Sequence, residues 1–134
     1  MEKHWSKSWK ASVQSRKQRK YQKNAPLHIK RKFLTAPLSK ELRKTHGVRS
    51  FPVRRGDTVK LTTGQFKGNT GKVTSVSIAR SFIHVDCAKL SKRDGTEAFY
   101  PVHASNVEIV KLDLSDDMRS EKLKSIKRKE GGKK

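Results

Sequence analysis

The chain runs Thr58-Val59-Lys60-Leu61, then Gly64-Gln65-Phe66-Lys67-Gly68-Asn69-Thr70-Gly71, then Lys72-Val73, and this short stretch restricts its fold more than any other feature. Val59 and Leu61 share one parity, as a half-buried strand requires. Three glycines within eight residues let the backbone reach positive φ and pass close to a partner, so the segment reads as a strand, a glycine-pinned loop and a second strand. Lys67 and Lys72 place positive charge on that exposed loop.

The same period-two pattern continues downstream. Ile83, Val85 and Cys87 share a face, while Phe82, His84 and Asp86 point the other way. In Lys72-Val73-Thr74-Ser75-Val76 the apolar parity slips between Val73 and Val76, which predicts a bulge or sharp bend. Asp94-Gly95 marks a hairpin turn. Ala98–His103 and Asn106–Val110 supply two closing strands, with Pro101 suited to an edge or a bulge. Five short strands over about residues 51–112 predict a mainly β unit, a small closed barrel.

Charge is distributed unevenly around that unit. The chain of 134 residues has a formal charge of +21. Residues 1–55 hold 17 Lys/Arg against 2 Asp/Glu, residues 56–110 hold 7 against 5, and residues 111–134 hold 9 against 5. A nearly neutral β unit preceded by a strongly basic extension implies a polyanionic partner that the extension penetrates or wraps. Nucleic acid fits. A membrane surface would call for an amphipathic helix with a broad apolar face, and none is legible. There is neither an apolar run near 18 residues nor a signal-peptide core, so the expectation is a soluble intracellular protein. Only 32% of the residues are apolar, which predicts one small domain, 51–112, with extensions 1–50 and 113–134.

Residues 1–24 are polar and basic, centred on Arg16-Lys17-Gln18-Arg19-Lys20 and Lys23, with no apolar stripe, and are expected to stay largely disordered without phosphates to neutralise them. Trp5 and Trp9, four apart, would share a helix face and could stack on bases or pack on a neighbouring protein. Two short helices follow. One covers Leu27–Leu34 with Lys30, Arg31 and Lys32. The other has Ser39 as N-cap, Leu38 and Leu42 on one face, Arg43 in its last turn and Gly47 as a left-handed cap. Arg49, Arg54 and Arg55 flank Phe51-Pro52-Val53. After Leu114, Ser115 can cap a last helix whose thin stripe of Met118, Leu123 and Ile126 needs a partner surface.

No catalytic or metal-binding pattern emerges. His84 and Cys87 are half of a ligand set at best, and Cys87 is the only cysteine. The glycine loop lacks the Gly-Lys-Ser/Thr ending of a P-loop, and the histidines and carboxylates show no catalytic spacing. The chain is expected to be no enzyme and to use no metal or cofactor.

Arg55-Gly56-Asp57-Thr58-Val59 followed by Gly64, Lys67, Gly68, Gly71, Lys72 and Val73 resembles the KOW motif of nucleic-acid-associated SH3-like barrels. That motif leaves ribosomal proteins and transcription elongation factors both open. Upstream, Asn24-Ala25-Pro26-Leu27-His28-Ile29-Lys30-Arg31-Lys32, Pro37-Leu38-Ser39-Lys40-Glu41-Leu42-Arg43 and Val48-Arg49-Ser50-Phe51-Pro52-Val53-Arg54 are similar to the eukaryotic and archaeal branch of the universal large-subunit ribosomal protein twenty-four family. The likeness spans about residues 16–130; residues 1–12 match no pattern of that family.

The resemblance implies an SH3-like barrel with basic extensions, bound to large-subunit ribosomal RNA in its 5′ domain near the nascent-chain exit and joining assembly early. It implies neighbouring ribosomal proteins as partners, no membrane and no homo-oligomer, and a cytoplasmic place in ribosomes, with nucleolar assembly if the source is eukaryotic. The candidate RNA contacts are Arg16, Lys17, Arg19, Lys20, Lys23, Lys30, Arg31, Lys32, Arg43, Arg49, Arg54, Arg55, Lys67 and Lys72. An elongation-factor module is the alternative, although residues 1–50 are too poor in apolar residues to build the companion domain it would need. A basic DNA-compacting protein would satisfy the charge but not the ordered glycine loop.

Overall fold

The computed structural model describes Trp5, Ser6, Ser8 and residues 11–131. Its elements in chain order are α1 (Ser15–Asn24), α2 (Leu27–Phe33), β1 (Thr35–Pro37), α3 (Lys40–His46), β2 (Ser50–Pro52), β3 (Thr58–Leu61), β4 (Thr70–Ser77), β5 (Phe82–Ser91), β6 (Glu97–His103), a single 3₁₀ turn (Ala104–Asn106), β7 (Val107–Lys111) and α4 (Asp117–Gly131). Five strands form one antiparallel sheet in the order β6-β5-β4-β3-β7, and β1 and β2 pair separately.

The predicted alternations hold as far as Asp86; beyond it the pattern slips, Ala88 being buried and Cys87, expected on the buried face, only half-buried. Val59, Leu61, Ile83 and Val85 are buried, and the intervening Lys60 and Asp86 are exposed. The parity slip becomes a register shift between Val73 and Ser75, where β4 bends over β5. Pro101 sits on the edge strand β6 beside a second register shift.

The closed barrel does not form as a hydrogen-bonded ladder. β6 and β7 are the two edges of the sheet and do not pair with each other. The outer side of β7 is taken instead by the chain after β1: Leu38 bridges Ile109, and the Ser39 N–H donates to the Ile109 carbonyl at 2.9 Å. Leu34, Ala36, Leu38, Val48 and Phe51 thereby enter the same core as Val59, Leu61, Ile83 and Ile109. Burying these side chains offsets the cost of ordering a segment whose own helices are too short to stand alone.

Local signals explain the helices. Ser39 Oγ accepts from the Leu42 N–H at 3.3 Å, and Gly47 ends α3 at φ 68°. The coil expected for residues 1–24 is corrected over 15–24, which are helical. Arg, Lys and Gln are good helix formers that lose little rotamer freedom there. The Trp5 ring packs on Tyr21 at 4.9 Å, and its indole N–H donates to the Tyr21 carbonyl at 3.2 Å. Trp9 lies outside the described residues.

The cap of α4 is also corrected, from Ser115 to Asp116. The Asp113 carboxylate takes the Ser115 N–H at 3.1 Å, leaving Asp116 to accept from the Met118 N–H at 3.1 Å. Leu123 packs into the core and Ile126 against it, but Met118 faces solvent. The residue that anchors the helix is Arg119.

Candidate nucleic-acid interface

The glycine loop is built around two left-handed residues. Gly64 and Gly68 have φ of 88° and 91°, and the Gly68 N–H donates to the Leu61 carbonyl at 2.8 Å, closing the loop onto the end of β3. This turns Lys67 outward. Gly71 acts differently: it lies within β4, and an added Cβ would stand 2.8 Å from Cys87 Sγ and 3.0 Å from the Cys87 backbone nitrogen. The close approach expected of a loop glycine is therefore to strand β5 of the same chain. Burial pushes the Cys87 thiol up from its ordinary range, as a thiol in that seam should behave.

The basic candidates divide into two groups. Three are occupied within the protein. Lys30 donates to the Ala79 carbonyl at the β4–β5 turn, Arg43 Nε donates to the Leu38 carbonyl at 2.6 Å, and Arg54 pairs with Asp116. Those contacts hold the extension and α4 in place. Eleven others, Arg16, Lys17, Arg19, Lys20 and Lys23 on α1, Arg31 and Lys32 on α2, Arg49, Arg55, Lys67 and Lys72, are exposed and form no ion pair among the described residues. α1 carries no acidic residue in its first turn and buries no residue, and at about 100° per residue its five cations fall within about 160° of one exposed face, away from Tyr21, which Trp5 covers. Like charge crowded on one face of a short helix is unfavourable alone and becomes favourable against phosphate.

Next to Arg54 lies a polar lock that sequence reading missed. Asp57 is fully buried and accepts four hydrogen bonds, from the Arg54 N–H at 2.8 Å, the Asp113 N–H at 3.0 Å and both terminal nitrogens of Arg119 at 2.7 Å. Arg119 also donates to the carbonyls of Asp113 and Pro52, and its guanidinium lies 5.3 Å from the centroid of the Phe51 ring. The bidentate pair ties α4 to the start of β3 and fixes where Arg54 and Arg55 emerge. The two residues are 62 apart, and no local signal links them.

A groove of about 190 Å³ opens between the glycine loop and β6, with Phe66 and Tyr100 at 5.7 Å between ring centroids. A second, of about 630 Å³, runs beside Arg54, Arg55 and Lys72 but is also lined by Asp86 and Asp113. No group of three or more His, Cys, Asp or Glu among the described residues could hold a metal ion, and no described helix is long and apolar enough to cross a membrane.

A mainly β unit with a lysine-bearing glycine loop, approached by helices whose exposed cations form no ion pair among the described residues, presents a surface suited to a polyanion. The sequence profile of the family that unites the eukaryotic ribosomal proteins L26 with their archaeal L24 counterparts matches residues 12–128, and the chain belongs to that family. Its relatives include the large ribosomal subunit protein uL24 of Methanosarcina barkeri (strain Fusaro / DSM 804), 49% identical over 113 residues that cover 84% of this chain and 97% of the relative. The match begins at residue 12, in keeping with an unfamiliar opening segment. Membership sets the elongation-factor alternative aside, because the likeness runs through the basic extension as well as the glycine loop.

Proposed function

We propose that this chain is a structural constituent of the large ribosomal subunit that binds ribosomal RNA through its basic extension and glycine loop, and that it performs no catalysis. The sheet is read as an SH3-like barrel left open between β6 and β7, with residues 1–50 and 113–134 as extensions. The observation that carries this reading is the set of eleven exposed cations that form no ion pair among the described residues, on α1, on α2, at Arg49 before β2, at Arg55 and Lys67 in the loops flanking β3, and at Lys72, which lies on strand β4 opposite Thr58 and not on the loop.

Phosphates of neighbouring RNA helices repel one another, and cationic helices threaded between them neutralise that repulsion while the sheet fixes their starting point. Contacts run mainly to phosphate and ribose, and selectivity comes from the shape of the folded RNA. Arg16, Lys17, Arg19, Lys20, Lys23, Arg31, Lys32, Arg49, Arg55, Lys67 and Lys72 supply the direct contacts, while Lys30, Arg43 and Arg54 position them. The site is the 5′ domain of the large-subunit RNA near the nascent-chain exit, beside other ribosomal proteins. The protein works there as a single copy in cytoplasmic ribosomes and helps early assembly.

The test is the salt dependence of binding to a transcript of the 5′ domain of large-subunit ribosomal RNA. About ten phosphate contacts give a log–log slope on the order of −7 to −9. A slope near −2 would show that only a few cations engage and would sink the reading.

A further inference from the structure

We propose that the groove between the glycine loop and β6 is a pocket for one unstacked RNA base, an inference that rests on the RNA-binding reading above. Its walls suit such an occupant. Phe66 and Tyr100 meet at an interplanar angle of 56°, and Tyr100 and Phe82 stay 41% and 37% exposed although both are large aromatic residues. An aromatic surface left open beside a basic loop is what a splayed base stacks on. The polar groups suit a base edge: Gln65 and Asn106 line the groove, each with an amide that both donates and accepts.

His103 adds a donor of known polarity. Its Nδ1 accepts from the Ser105 N–H at 3.3 Å, so in the neutral ring the proton resides on Nε2. No carboxylate lines the groove, and exposed Lys67 stands on the same loop, so a polyanion meets no like charge on entry. The larger groove beside Arg55 lacks this property, because Asp86 and Asp113 line it. A neighbouring protein is the less suitable occupant. An apolar side chain would fill the space but cover the Gln65 amide, the Asn106 amide N–H and the far nitrogen of His103 without offering them hydrogen bonds, and a cavity of about 190 Å³ offers little of the area that a stable protein contact requires. Phosphate contacts are uniform along a strand, so a single captured base would fix the register of the RNA relative to the sheet.

The experiment uses the full chain and a transcript of the 5′ domain of large-subunit ribosomal RNA. Tyr100→Ala removes a half-exposed ring from an edge strand. It is expected to weaken binding roughly five- to 150-fold, the effect of one lost base stack, with the salt slope unchanged because no phosphate contact is lost. Tyr100→Phe keeps the ring and should bind as the wild type does. Ultraviolet cross-linking of the unaltered protein, which does not depend on how a variant folds, should place nucleotide adducts on Phe66 or Tyr100. Unchanged affinity for Tyr100→Ala, equal losses for both variants, or adducts confined to the basic extension would each overturn the proposal while leaving RNA binding intact. A Tyr100→Ala protein that binds the transcript normally but leaves large subunits at a salt concentration where the wild type stays would assign the groove to a protein neighbour, and would also overturn it. Failure of the wild type to bind with a steep slope would remove the RNA-binding reading itself.

Discussion

Replacing Arg119 with alanine should cost far more than any other change at the surface end of α4. Asp57 is fully buried, and Arg119 supplies two of its four donors, both at 2.7 Å. Without the guanidinium, the carboxylate keeps only the N–H groups of Arg54 and Asp113 and is left charged in a site closed to water. Removing one partner of a buried ion pair costs about 3–5 kcal/mol, a large part of the roughly 5–15 kcal/mol that holds a domain folded. With a urea slope of about 1–3 kcal/mol per molar, the unfolding midpoint should fall by on the order of 2 M. Urea melts followed by far-ultraviolet circular dichroism would measure this for Arg119→Ala, Asp57→Ala and the double variant. The double variant should lose much less than the sum of the two single losses, because no charge is then stranded. Arg119→Lys should fall in between, since it restores charge without the fork. A loss below about 1 kcal/mol for Arg119→Ala would mean that water reaches Asp57, and the account of how α4 is held would fail.

Three further outcomes are expected. Gly71→Ala should destabilise by about 1–3 kcal/mol, because the new methyl presses on Cys87 Sγ and backbone with nowhere to move; an unchanged melting temperature would refute the close approach of β4 and β5. Gly68→Val places a β-branched residue at φ 91° in otherwise open space, a strain of about 1–3 kcal/mol that should distort the loop and weaken RNA binding more than Lys67→Ala, which removes one cation among many; identical RNA footprints for both variants and the wild type would contradict this. Asp113 is held below the ordinary carboxylate value of 3.8 mainly by the Ser115 N–H, and Asp116 mainly by Arg54. Each binds protons less readily folded than unfolded, so its contribution is complete above that value and is lost as the pH falls through the folded value. Stability should therefore drop on acidification through that range, and less steeply in Asp116→Asn; a profile that is flat from about pH 5 to about pH 2 would refute the assignment.

Much of this was legible because the signals were local. Val59 and Leu61, Ile83 and Val85 showed their buried faces through spacing alone, Ser39 and Gly47 marked both ends of α3, and the slip between Val73 and Val76 announced the shift in register. What sequence hid was non-local. The β1–β2 pair joins two three-residue strands that each contain a proline, Pro37 and Pro52, with no alternation long enough to read. Leu38 bridges the free edge of β7 across 71 positions, a pairing no local pattern announces. Asp57 and Arg119 each look like ordinary surface charges until the fold brings them together. In the candidate interface, sequence named the cations but could not separate Lys30, Arg43 and Arg54, which are spent on the protein itself, from the eleven that form no ion pair among the described residues. Nor did it single out Phe66 and Tyr100, whose meeting depends on the path of the loop against β6.

If the chain holds to folded ribosomal RNA as proposed, it should stay with the large subunit when surface charges are screened. Gradient sedimentation of the native protein with large ribosomal subunits after a high-salt wash tests it most directly. Continued co-sedimentation is predicted even though equilibrium affinity for the isolated transcript falls steeply with salt, because in the assembled subunit contacts enclosed between RNA helices are screened less than exposed ones and dissociate slowly. Release into fractions free of ribosomal RNA at moderate salt would contradict the account.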